Sequence, residues 1–165
     1  MSSSDRKDLV IRTKQAHDGA VPSGNSIEMM NLVKLYLLKS DPEYEEMAYR
    51  TINAFGKEIE NSPTNYSFSL MAADILMNKA YSVVIVGNKE DEKAVRLIDS
   101  VMERYLPQAV VILKEPEDKA ISEVLENVSS MKQVNGETTA YVCTEKMCLP
   151  PFTDAVKMKE ALKEK

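Results

Sequence analysis

The stretch Tyr81-Ser-Val-Val-Ile-Val-Gly-Asn88 limits the fold more than any other part of the chain. Residues 83–86 are an unbroken apolar run, stopped by Gly87-Asn88. A strand with one face in water alternates apolar and polar residues. A run without alternation implies cover on both faces, as in the sheets of α/β proteins. The residues that follow can supply that cover. Ala94, Val95, Leu97, Ile98, Val101 and Met102 recur at helical spacing and predict a helix over about residues 89–105. Residues 109–113 read as a second strand, and residues 118–128, after Pro116, as a helix. Residues 138–143 read as a third strand. A last helix is expected from Thr153-Asp154 to about residue 164. Such repetition predicts right-handed crossovers and a small three-stranded parallel βαβαβα unit.

The first half has a different pattern. Residues 25–39 predict a helix that is apolar at Ile27, Met29, Met30, Leu32, Val33, Leu35, Tyr36, Leu37 and Leu38, which implies burial on most sides. Ser23, Asn25 and Ser26 are candidate N-caps for it. Asp41-Pro42 starts a second helix, whose apolar positions (Tyr44, Met47, Ala48, Thr51, Ile52, Phe55, Ile59) form one face. Ser62-Pro63 starts a third, again apolar over a wide surface. Buried, amphipathic, buried is the order of helices in a layered α/α toroid. The expected class is therefore mixed α/β. Residues 1–12 form a flexible segment and residues 13–80 a partial toroid of three helices. Those helices pack with an α/β unit over residues 81–165 as one compact domain.

Charge and cysteine content exclude several functions. The 165 residues carry 26 acidic and 21 basic side chains, a formal net charge of −5. No basic cluster offsets this, which argues against nucleic acid and against an anionic membrane surface as partners. The opening Met-Ser-Ser-Ser-Asp-Arg-Lys-Asp has no apolar run of the signal-peptide kind. No apolar segment approaches the roughly 20 residues of a membrane span. A cytoplasmic location is expected, and two cysteines do not make a disulfide framework.

Four features carry candidate chemistry. Gly87-Asn88 lies where a phosphate-binding turn would, but Lys-Glu-Asp-Glu follows instead of further glycines. The acids suit a helix dipole and repel an anion, so a tight turn capped by Asn88 is the favoured reading. Cys143 and Cys148 are spaced C-x4-C. A redox pair forms if the loop folds back; otherwise they are packing thiols, which is the default. A structural zinc needs four ligands, and only His17 is left to join them, so no metal and no cofactor are expected. Asp74 within an apolar helix is either a functional carboxylate or, preferably, a capping or ion-pair residue or part of a narrow exposed stripe. Finally, "HDGAVPSGNS" over residues 17–26 holds the only histidine. His17-Asp18 has the chemistry of an acid/base pair. The short polar side chains Asp18, Ser23, Asn25 and Ser26, together with His17, are candidate ligand-binding groups. No nucleophile motif accompanies them, and on chemistry alone turn and helix-cap roles are favoured.

Three pieces taken together resemble a family. "DGAVPSGNS" looks like the Asp-Gly-Ala-x-Pro-Ser-x-Asn-Ser signature of thioredoxin-domain-containing proteins of the spermatogenesis-associated protein 20 type, matching Asp18, Gly19, Ala20, Pro22, Ser23, Asn25 and Ser26. "VVIVG" over residues 83–87 and "AYVCTEKMCLPPFTD" over residues 140–154 are similar to later segments of that family, in the same order. The resemblance covers the chain from about residue 13. It implies a larger protein: an N-terminal thioredoxin-like domain, then an (α/α)6 barrel akin to glycosidases and sugar 2-epimerases, with this chain matching the C-terminal part. That leads to three functional expectations. The favoured one is a module that is non-catalytic alone and acts by association, with itself or with a chain carrying the missing parts. The alternatives are a carbohydrate-binding or sugar-active fragment with its site at residues 17–26, and a thiol redox role for Cys143 and Cys148.

Overall fold

The computed structural model describes residues 14–144 and 147–162. The expected flexible segment at 1–12 and the expected end of the last helix at 164 lie outside these residues. The chain divides into two compact units. The first comprises residues up to Tyr36 together with Asp41–Asn78, and the second Leu37–Ser40 together with Lys79–Lys165.

The first unit is helical. Helix α1 spans Gly24–Lys39, α2 Pro42–Ala54, α3 Gly56–Asn61 and α4 Ser67–Met77, with a 3-10 turn at Pro63–Tyr66 before α4. Ser23 caps α1, since its Oγ accepts from Ser26 N at 3.1 Å. Asp41 caps α2 through Glu43 N, with Pro42 in the first turn. The expected second helix does not run through to Ile59. It breaks at Phe55 and restarts as α3 at Gly56. Glycine costs about 1 kcal/mol in a helix interior, which makes that point the cheapest place to break.

Burial on α1 and α4 is narrower than the hydropathy pattern predicts. On α1 the buried residues are Ser26, Met29, Met30, Leu32, Val33 and Leu37, while Ile27 and Leu35 are 44% and 37% exposed. On α4, Ser69, Ala72, Ala73, Ile75 and Leu76 are buried, whereas Leu70, Met71 and Met77 are exposed. Each helix therefore buries one face and leaves large apolar side chains on the other.

The second unit is a three-layer arrangement. Strands β1 (Tyr81–Val86), β2 (Ala109–Lys114) and β3 (Thr139–Cys143) form one sheet in the order β2-β1-β3. The alternation of side chains assigns its two faces. Tyr81, Val83 and Ile85 of β1 join Ala140 and Val142 of β3 on one face. They pack with Ala94, Leu97 and Val101 of helix α5 (Glu92–Met102) and with Met158 and Leu162 at helix α7 (Ala155–Ala161). Val84, Val86 and Ile112 lie on the other face with Val128. Ile121 and Leu125 pack there from helix α6 (Lys119–Val124) and the residue after it, as does Leu38. β1 is thus covered on both sides, as its uninterrupted apolar run requires. The last turn of α1 belongs to this unit, and Asn127 Nδ2 donates to Leu38 O at 3.1 Å.

The all-parallel sheet is a correction. β1 and β2 are parallel, Tyr81 opposite Ala109, but β3 is antiparallel to β1, with Val86 opposite Thr139 and Ser82 opposite Cys143. The two connections, residues 87–108 and 115–138, are of similar length, and what differs is the helix that each contains. A six-residue strand is roughly 20 Å long, and a parallel third strand would have to start at the far end of the sheet. Helix α5 has 11 residues and makes that return between β1 and β2. Helix α6 has six residues, about 9 Å of helix, and β3 begins beside the end where β1 and β2 finish.

One buried charge organises that end. Lys114 closes β2 and is 4% exposed. Its Nζ donates to the backbone carbonyls of Val128, Ser129 and Met131 at 2.9, 3.1 and 3.0 Å. An ammonium has three donors, so all are used, and the carbonyls ending the 3-10 turn Glu126–Val128 gain partners. Replacing Lys114 with Met keeps the stem and strips these carbonyls of their donor. Lys114→Met is expected to cost about 3 kcal/mol, read from the urea midpoint at unchanged slope.

Candidate functional site

The signature segment is a hydrogen-bonded knot within the first unit. A helix start leaves backbone N–H groups without partners, and the Asp18 carboxylate serves two such starts. Its Oδ1 accepts from Ser23 N at 2.8 Å and from Ser26 Oγ at 2.6 Å, at the head of α1. Its Oδ2 accepts from Phe68 N at 2.9 Å, in the first turn of α4. The Asp18 N–H donates to Asn65 O at 2.7 Å. Ser26, fully buried, lies 2.9 Å from Ser69 Oγ and 2.8 Å from Ser23 Oγ. A hydroxyl has one proton and two lone pairs. With the Ser26 proton on Asp18, the Ser69 and Ser23 hydroxyls donate to Ser26. These bonds fill the one donor and two acceptor positions of the Ser26 hydroxyl.

Burial by itself would raise the Asp18 carboxyl. The bond from Ser26 Oγ and those from the Ser23, Phe68 and Ser69 N–H groups outweigh it, so the group is held below its ordinary 3.8. Two helix N-termini also favour the negative charge. A carboxylate bonded this fully is held in its ionised form. Its geometry is that of an anchor.

The other candidates fall around this knot. Asn25 Nδ2 donates to Gln15 O at 2.6 Å and closes the segment on itself. His17 is exposed and meets the Tyr66 ring edge-on at 6.1 Å between centroids, while the Asp18 oxygens are bonded to Ser23, Ser26 and Phe68. The structure thus brings Asp18, Ser23 and Ser26 together and leaves His17 and Asn25 outside that cluster. The contributions of Ser69 and of the Phe68 N–H were not anticipated. The signal for Ser69 was a small polar residue in line with Ala72, Ala73 and Leu76, at helical spacing on the inner face of α4. Asp74 is exposed and accepts from Asn78 Nδ2 at 2.7 Å, a local contact.

Gly87 marks a close approach. A Cβ there would overlap Thr138 Oγ1 and lie 2.6 Å from its Cγ2, so only glycine leaves room. The helix cap that follows is Asp91 and not Asn88. Asp91 Oδ1 accepts from Lys93 N at 3.0 Å, while Asn88 Oδ1 accepts from Glu90 N at 3.0 Å in a turn that precedes the helix. The Thr138 hydroxyl and then the Lys93 N–H hold the Asp91 carboxyl below its ordinary value.

Cys143 and Cys148 are joined by a disulfide, so the default of two packing thiols is corrected. The loop folds back and sets the two residues opposite one another in an antiparallel bridge. Because β3 is antiparallel, Cys143 lies opposite Ser82 near the start of β1. That is the end of the sheet away from where ligands sit in parallel α/β folds. With a separation of 5 residues, the closed loop is short, and the bond constrains the unfolded chain by about 2 kcal/mol. Among the described residues no group of three or more His, Cys, Asp or Glu side chains could hold a metal ion, and no helix is long and apolar enough to cross a membrane.

These features define a mixed α/β chain of two units, with a carboxylate anchor in one and a disulfide in the other. The chain is homologous to spermatogenesis-associated protein 20. It is 26% identical to the Homo sapiens protein over 155 residues, 93% of this chain and 20% of that one. It is 26% identical to the Rattus norvegicus protein and 25% to the Mus musculus protein, each over 156 residues, with the same 20% of the relative covered. The chain thus spans about a fifth of the length of these relatives. No family model and no solved structure matches it.

The anchor has a defined pH signature. Asp18 has a lowered folded value, so its contribution to stability is present above the ordinary 3.8 and is lost as the pH falls below it, through the folded value. Asp18→Asn leaves one acceptor and turns an N–H2 toward donors. Urea unfolding at pH 7 should show a loss of about 2 kcal/mol. The difference from wild type should shrink as the pH is taken below 4.

Proposed function

We propose that this chain is an association module that is non-catalytic alone, part of a larger assembly of the spermatogenesis-associated protein 20 type. One observation carries this reading: helices that belong to a family five times longer leave large apolar side chains exposed. Ile27 and Leu35 of α1 and Leu70, Met71 and Met77 of α4 range from 37% to 69% exposed. Single exposed apolar residues are ordinary, but two helices each exposing several mark an interaction surface. In this reading α1, α2 and α4 are the C-terminal helices of an α/α toroid. The covering helices come from a chain that carries the rest of the barrel or, in its absence, from a second copy.

The bonding of Asp18, Ser23 and Ser26 supports a structural use of the signature, because a sugar hydroxyl at these groups would have to displace intramolecular bonds. Sedimentation velocity at low micromolar concentration, with a dye that fluoresces on apolar surface, tests the proposal. Self-association or dye binding that a covering chain suppresses is expected. A monomer that binds no dye contradicts it. A panel of mono- and disaccharides should leave the backbone amide shifts of residues 17–26 unchanged; shifts confined there would favour the sugar-binding alternative.

A further inference from the structure

The Cys143–Cys148 bond decides how one edge of the sheet is held. β3 pairs with β1 on one side. On its other side the chain returns over residues 148–152 as a strap. Leu149 N donates to Val142 O at 2.9 Å, and Ala140 and Phe152 exchange two backbone bonds of 2.7 and 2.8 Å. Pro150 and Pro151 lie between these contacts and have no N–H to offer. Three backbone bonds to β3, the partly buried side chains of Leu149 and Phe152, and the disulfide fasten the strap. Cys143 is half-buried and Cys148 exposed.

We propose that this disulfide is a thiol-exchange site for a small thiol of the glutathione class, and that its reduction releases residues 148–152 from the edge of β3. Exposure and a short closed loop both distinguish it from the buried, long-loop bridges that resist reduction. The reductant thiolate attacks Sγ of Cys148. The S–S bond breaks, its electron pair leaves on Cys143 as thiolate, and a mixed disulfide forms at Cys148. A second reductant thiolate attacks the reductant sulfur of that mixed disulfide and expels the Cys148 thiolate. Both thiolates take up protons, and two thiols have become one disulfide for each protein bridge opened. The strap is then left with three edge bonds interrupted by two prolines. The central strand β1 keeps its pairing with β2 and its two covering layers. This inference is independent of the association reading.

The test equilibrates the full chain in a series of reduced-to-oxidised glutathione ratios. Thiols are trapped by alkylation and counted by mass, and amide hydrogen exchange is followed in the oxidised and reduced forms. The disulfide should open within the series, and the Leu149, Phe152 and Ala140 amides should exchange roughly tenfold faster or more once it does. The Val83 and Ile85 amides should stay as protected as before. Cys148→Ser should show the reduced pattern with no reductant present. A bridge that survives in reduced glutathione alone overturns the proposal, as does a reduced form with unchanged strap protection. Loss of protection throughout β1 on reduction would make the bridge a structural staple and overturn it too.

Discussion

The first unit depends on one carboxylate bonded to two helix starts. Helix N-termini need acceptors, and a negative charge is favoured where their dipoles converge. Asp18 meets both needs at once: Oδ1 serves Ser23 and Ser26 at α1, and Oδ2 serves Phe68 at α4, 50 residues further along the chain. Its own N–H is fastened to Asn65. This arrangement fits the start of α4 at Ser67, after a 3-10 turn, since Phe68 is then the residue whose free N–H reaches the carboxylate. It also fits the buried Ser26 and Ser69, which on apolar helix faces would cost free energy unless bonded to one another and to a strong acceptor.

The same bonding favours the ionised form of Asp18, since its donors hold the carboxyl below its ordinary value. Of the residues that match the signature, Asp18, Ser23 and Ser26 close the knot, while His17, which does not match it, faces Tyr66. The second unit shows an equivalent economy. Lys114 spends its three donors on three carbonyls, and Gly87 gives its missing side chain's space to Thr138.

Local chemistry made much of this readable. An apolar run in β1 required two covering layers, and two are present. Asp41, Asp118 and Asp154 cap helices where acid residues precede helical patterns. Features that depend on distant partners were not readable. The five residues of β3 alternate in the same way whichever direction the strand runs, so the pattern does not carry its antiparallel pairing with β1. Asn88 and Asp91 are both good caps, and Thr138, 47 residues later, helps hold Asp91 in place. The buried faces of α1 and α4 are narrower than their hydropathy implies, because an apolar residue on an exposed face is indistinguishable in sequence from one in the core. The cysteine spacing allowed a bridge but did not require it, since closure depends on the strap pairing with β3.

Asp18 is then an ionised anchor shared by α1 and α4, and NMR titration of its side-chain carboxyl carbon, together with the backbone amides of Ser23 and Phe68, reads this out. A carboxyl that titrates below 3.8 is expected, with two amide resonances, one in each helix start, that move with the same midpoint. An ordinary carboxyl value, or amides that do not follow it, would rule out a shared anchor.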